Sequence, residues 1–158
     1  MTDGKSASRT RTSRLIKAPR ETVFQAFLDP VALESWLVPE TMTGKVHRFD
    51  ARVGGGYEMS LYYPESETTD HGKTSAREDR YTAQFVELTP PSRIVEIITF
   101  DTSDPSFAGE MTMEVILEER AGGTDVTIAF WPLPPGIRPE DNNAGTRSSL
   151  EKLARLVE

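Results

Sequence analysis

The chain has no cysteine, which excludes disulfides, thiolate nucleophiles and Cys-ligated metals. It has only two histidines, His47 and His71, and they do not stand in a metal-ligand spacing such as His-x-x-x-His. Basic residues are outnumbered: 18 Lys and Arg against 25 Asp and Glu leave a formal charge of −7. Phosphate binding needs a concentrated basic face, so this balance argues against nucleic acid or an anionic membrane as partner. The one basic cluster, Lys5, Arg9, Arg11, Arg14, Lys17 and Arg20, is N-terminal. No apolar run approaches the roughly 18 residues of a membrane span. The N-terminus also lacks the apolar core of a signal peptide. A soluble, cytoplasmic protein is expected.

What is present is an ordered succession of patterns in 158 residues, a length that suits one domain with its own core. Residues 1–8 are polar and frayed, the flexible N-terminal segment is drawn over residues 1–12 ahead of one domain over residues 13–158, and a first strand is expected over residues 10–17. Pro19 then suits the first turn of a helix. Val23, Phe24, Phe27 and Leu28 make a helical stripe. Asp29-Pro30 restarts the pattern, and Leu33, Trp36 and Leu37 continue it. From Gly44 the period changes to two. Residues 46–52 are a strand; Gly54-Gly55-Gly56 is a turn or bulge. Tyr57, Met59, Leu61 and Tyr63 then alternate with polar neighbours. Residues 64–76 are polar and are read as a long exposed loop. Strands follow over residues 77–88 and 92–100. A further strand carries Met111, Met113, Val115 and Leu117 on one face, and Gly122-Gly123 turns into its return strand with Val126, Ile128 and Phe130. Leu150, Leu153, Ala154 and Val157 close the chain as an amphipathic helix. Half-buried strands need a cover, and only this last helix is long enough to supply one.

Several of these marks together resemble the START-like, or birch-pollen-allergen-like (SRPBCC), superfamily. They are Ala18-Pro19-Arg20-Glu21-Thr22-Val23-Phe24, Trp36, Gly54-Gly55-Gly56-Tyr57, residues 88–95 around Pro90-Pro91, and residues 145–153. Within the superfamily the chain is most similar to the branch named for the activator of the heat-shock protein 90 ATPase, over residues 13–158. The resemblance implies an α+β helix-grip fold, in which a curved antiparallel sheet wraps a long C-terminal helix, with two short helices between the first two strands. It often implies an apolar cavity between sheet and helix. None of the matching motifs is catalytic, and one fold hosts many functions.

Parity selects an inward set for such an interior: Met59, Leu61, Tyr63, Phe85, Phe100, Met111, Met113 and Phe130. Two methionines at i and i+2 suit a wall that adapts to varied apolar shapes, although plain core packing is the commoner reason for such a pair. Trp36 either closes one cavity end or anchors packing. Glu96 shares parity with Ile94, Ile98 and Phe100, in a strand apolar on both faces. It is either buried, with a raised pKa or a basic partner among Arg80, Arg93 and Arg147, or it is solvated. If buried, it is the one weak catalytic candidate and a ligand anchor. His47 reads as a surface or satisfied histidine. His71 reads as solvated, forming a dyad with Asp70 only if its loop folds over the interior. On the last helix Asn143, Thr146 and Arg147 either meet a ligand's polar group or are solvated. Gly145 inside that helix suggests the close approach of a strand or a ligand.

The leading expectation is a protein that binds an apolar or aromatic small molecule without cofactor or metal. The alternatives are a co-chaperone-type module that binds a chaperone or other protein, and a cyclase- or hydrolase-like enzyme using Glu96. A homodimer is also plausible.

Overall fold

In the computed structural model, residues 8–39, 41–64 and 78–158 are described. The chain runs β1 (Thr10–Ile16), α1 (Arg20–Phe27), α2 (Pro30–Trp36), β2 (Thr43–Asp50), β3 (Gly56–Tyr62), β4 (Glu78–Thr89), β5 (Arg93–Phe100), β6 (Glu110–Arg120), β7 (Gly123–Trp131) and α3 (Pro139–Val157). The seven strands make one antiparallel, curved sheet in the order β1-β7-β6-β5-β4-β3-β2. Every strand therefore pairs with its sequence neighbour except β1, which crosses over to pair with β7. The helix-grip architecture implied by the resemblance is the one observed.

Local chemistry sets the helices. Asp29 caps α2 by accepting from the amides of Val31 and Ala32, and Pro30 supplies a preset φ at its first position. Trp36 ends α2, and its indole Nε1 donates to the Ala26 carbonyl of α1 at 2.9 Å. Phe27 meets the same ring edge-on at 4.7 Å. These contacts weld the two short helices into one corner. The strands alternate: on β6, Met111, Met113, Val115 and Leu117 are buried while the intervening residues are more open.

Strand limits differ slightly from the sequence pattern. β2 begins at Thr43 and ends at Asp50, and its register shifts at His47, a bulge that alternation does not reveal. Val86 marks a similar shift in β4. The expected loop over residues 64–76, with Asp70 and His71, lies outside the described residues except for Pro64.

α3, 19 residues long, spans about 28 Å. Its buried face is Thr146, Ser149, Leu150, Leu153 and Ala154. Polar ties fix both flanks. On one side Thr10 Oγ1 of β1 donates to Asn142 Oδ1, and Thr12 Oγ1 donates to Asn143 Oδ1 at 3.0 Å. On the other, Ser149 Oγ donates to the Leu37 carbonyl at 2.8 Å and Lys152 Nζ to the Val38 carbonyl at 2.6 Å. The helix thus rests on edge strand β1 and on the α1–α2 corner. The middle of the sheet is left partly uncovered beneath its first turns.

Gly145 does not mark a close approach. A Cβ there would meet only Pro39 Cβ, at 3.6 Å, which is ordinary contact. Gly145→Ala should therefore stabilise the fold by up to about 1 kcal/mol through helix propensity, measured by chemical denaturation. The β2–β3 turn behaves differently. Gly54 has φ +88° with open space around it, whereas a Cβ on Gly56 would sit 2.0 Å from the Ala83 carbonyl oxygen. Gly54→Ala should destabilise by about 1–2 kcal/mol, a conformational penalty alone. Gly56→Ala should cost clearly more, because β3 and β4 must separate to admit it; equal losses in the same assay would contradict this.

Candidate functional site

Where α3 stands off the sheet, a cavity of about 550 Å³ opens between them. Its wall comes from the concave faces of β3 to β7 and is largely apolar. Leu61, Tyr81, Ile98, Phe100, Met111, Met113, Ile128 and Phe130 line it. Leu37, Pro39 and Met42, which follow α2, close one side. Phe107 and Ile137 close another, where the 3-10 turn Pro105–Phe107 meets the segment before α3 through the Gly136 amide donating to the Ser106 carbonyl at 2.6 Å. α3 contributes Asp141, Asn142, Ala144, Gly145, Thr146 and Ser149.

Polar groups in this wall are few and mostly engaged. Thr146 Oγ1 donates to the Asn142 carbonyl within the helix, at 2.8 Å. Asp79 is buried on the concave face of β4, and Tyr63 donates its hydroxyl to Asp79 Oδ2 at 3.0 Å. At the mouth Arg138 pairs with Glu140 and Asp141 at 3.4 and 3.9 Å, all three well exposed, which makes these ties weak.

Behind the wall lies a second polar group. Glu96 is 2% exposed, so the inward alternative is the observed one. Its partner is not an arginine. Arg80 pairs with Glu58 and Arg93 with Glu87 and Glu114, all on the outer face, and Arg147 is exposed. Residues on the outer and inner faces cannot meet across the sheet, so parity that buries Glu96 also removes Arg80 and Arg93. Instead Tyr57 of β3 donates its hydroxyl to Glu96 Oε1 at 3.2 Å, and the Tyr57 and Tyr81 hydroxyls lie 3.3 Å apart. Burial pushes the Glu96 carboxyl up to about 7, and the Tyr57 hydrogen bond opposes that only in part. Burial, with the Glu96 charge beside them, raises both tyrosines as well.

The structure brings Leu61, Tyr63, Phe100, Met111, Met113, Phe130 and Thr146 of the expected set to the cavity wall. It places the others elsewhere. Trp36 is wholly buried against Phe27 and the Ala26 carbonyl, so it anchors packing and closes no cavity end. Met59 and Phe85 belong to the solid part of the core. Asn143 is turned to Thr12, and its neighbour Asn142 stands at the wall. His47 is exposed on the outer face, its Nε2 2.9 Å from Ser60 Oγ. Tyr81 was legible in principle, since it shares parity with Phe85. Phe107 and Ile137 carry no periodic signal, because they reach the cavity from a single 3-10 turn (Pro105–Phe107) and from an irregular segment.

A carboxyl that keeps its proton on folding makes stability fall as pH rises. Between the ordinary value of 4.5 and about 7 the native state binds more protons than the unfolded chain. Stability should be greatest below that window and lower by about 3 kcal/mol above it. Glu96→Gln removes the ionisation penalty. Its melting temperature should exceed the wild type's at about pH 8.5 and match it near pH 5, in paired thermal scans. A difference that ignores pH would show that Glu96 is not held neutral by burial.

The protein-family model described as activator of Hsp90 ATPase homolog 1-like protein matches residues 17–158. Among solved structures, protein CV1439 from Chromobacterium violaceum is 35% identical, with a TM-score of 0.85 over 95% of this chain and 96% of that one. Protein NE0264 from Nitrosomonas europaea is 20% identical, with a TM-score of 0.70 over 99% and 97% of the two chains. An AHSA1-like protein from Aeromonas hydrophila is 19% identical, with a TM-score of 0.69 over 95% and 92%. The two more distant likenesses speak for the fold alone. No curated protein matches the chain. With the family model spanning nearly the whole length and a solved relative agreeing end to end, the chain belongs to the activator of Hsp90 ATPase homolog 1-like family.

Proposed function

We propose that the protein binds an apolar or aromatic small molecule between α3 and the concave face of the sheet. The observation that carries this reading is the cavity of about 550 Å³, a volume in the usual range for ligand pockets. Its aromatic and methionine side chains offer a deformable apolar surface with few fixed polar groups, suited to flat or irregular hydrocarbon shapes. Glu96 is shut behind this wall, which weighs against its acting as an enzyme's acid or base on a bound substrate.

The family description favours a second reading, a co-chaperone-type module. In that case the partner would meet the outer face, where cross-strand pairs such as Arg80–Glu58 and Arg93–Glu114 lie.

Native mass spectrometry of protein purified from its own host should show a small molecule travelling with it. Met111→Trp fills the cavity from β6. It should weaken binding of the fluorescent probe 1-anilinonaphthalene-8-sulfonate at least tenfold while the melting temperature stays within a few degrees. A folded Met111→Trp variant that binds the probe as tightly as wild type, together with repeatedly bare native protein, would defeat the binding reading and favour the protein-partner one.

A further inference from the structure

The Glu96–Tyr57–Tyr81 chain has a geometry that plain core packing does not require. It begins at a carboxyl whose hydrogen-bond partner, among the described residues, is a phenol and not a cation, and it ends at Tyr81, the only one of the three that lines the cavity. Each phenol has one proton to give, so the chain has a direction. An ionised carboxylate only accepts. Tyr57 must then donate to Glu96, and its oxygen can only accept from Tyr81 across the 3.3 Å gap. The Tyr81 proton then has two inward acceptors, the Tyr57 oxygen at 3.3 Å and Met59 Sδ at 3.5 Å. Tyr81 is left with lone pairs alone.

When Glu96 takes a proton from water, its own O–H can donate to Tyr57, and Tyr57 can turn its proton to Tyr81. The Tyr81 hydroxyl hydrogen is then released for another acceptor. Both contacts, at 3.2 and 3.3 Å, sit at the long end of O–H···O distances, so the reversal breaks no strong bond.

We propose that this chain is a proton-set selector for the cavity: the site takes aromatic ligands bearing one oxygen function, preferring hydroxyl donors when Glu96 is ionised and carbonyl or ether acceptors when it is neutral. The proposal rests on the binding reading above and adds the ligand's polar group and its pH dependence. The charged groups lining the cavity are Asp79 on β4 and, at the mouth, the exposed Arg138–Asp141 pair 3.9 Å apart. Opposite Glu96 in the sheet are Phe85 on β4 and Met113 on β6. From β3 Tyr57 bonds it. The buried face of α3 holds Thr146, Ser149, Leu150, Leu153 and Ala154, none of them titratable. Asp79, two positions before Tyr81 on β4, has the Tyr63 hydroxyl as a donor. The carboxyl's own midpoint near neutrality places the reversal in the physiological range.

The test uses two probes of one shape, 2-naphthol as donor and 2-methoxynaphthalene as acceptor only, titrated calorimetrically at about pH 5.5 and about pH 8. The ratio of their affinities should move roughly tenfold toward naphthol at the higher pH, the size of one hydrogen bond gained or lost. In Glu96→Gln the ratio should no longer depend on pH although both probes still bind. In Tyr57→Phe, which cuts the chain while Glu96 still titrates, the ratio should likewise become constant. Binding of both probes with a pH-independent ratio in the wild type overturns the selector and leaves the binding reading standing. A ratio that keeps its pH dependence in either folded variant also overturns it. Failure of both probes to bind at either pH sinks selector and binding reading together.

Discussion

α3 is tied along its two flanks to β1 and to the segment after α2, and those ties govern how closely it can approach the sheet. Thr10 and Thr12 hold Asn142 and Asn143, while Ser149 and Lys152 bond the carbonyls of Leu37 and Val38. Leu150, Leu153 and Ala154 are drawn fully into the core farther along. A helix fixed in this way cannot tilt down onto the middle strands without breaking hydrogen bonds at partly buried positions, where an unmet partner costs about 1–3 kcal/mol. The space beneath its first turns therefore persists, and everything said of the cavity follows from that standoff.

The same sheet that supplies the cavity wall also sorts charge. Its outer face carries cross-strand pairs of opposite sign, Arg80 with Glu58 and Arg93 with Glu114. Its inner face carries tyrosines and two carboxyls, Asp79 and Glu96, each met by a phenol. Alternation forces this separation, because neighbouring residues on a strand point to opposite sides. Glu96, buried here with a phenol for partner, keeps its proton up to about pH 7. Among the described residues no buried side-chain polar atom is left without a partner, so the interior tolerates Glu96 through hydrogen bonding and neutrality.

Membership of the activator of Hsp90 ATPase homolog 1-like family settles the architecture and leaves chemistry to the site. The prolines at helix starts, the glycines at the β2–β3 turn and the Pro90-Pro91 pair are scaffold features. They position strands without touching the cavity. In this chain the cavity-lining side chains include the methionines of β6 and Tyr81.

Much of this was legible along the chain, and the unreadable part has an identifiable cause. Two-residue alternation in β3, β5 and β6 told which side chains share a face, and the i, i+3, i+4 stripe of Leu150, Leu153 and Ala154 told which side of α3 is buried. Such patterns depend on neighbours a few residues apart. They could not say that Trp36 would turn to Ala26, that Asn142 rather than Asn143 would border the cavity, or that a tyrosine on β3 would answer a glutamate on β5. Those outcomes join residues 10 to 132 positions apart, and they arise only when the sheet curves and the helix is pinned across it. Local periodicity assigned Glu96 its possible faces; burial beside phenols, with Arg80 and Arg93 on the far side of the sheet, made it a carboxyl that ionises only near pH 7, because only packing decides what a charge is surrounded by.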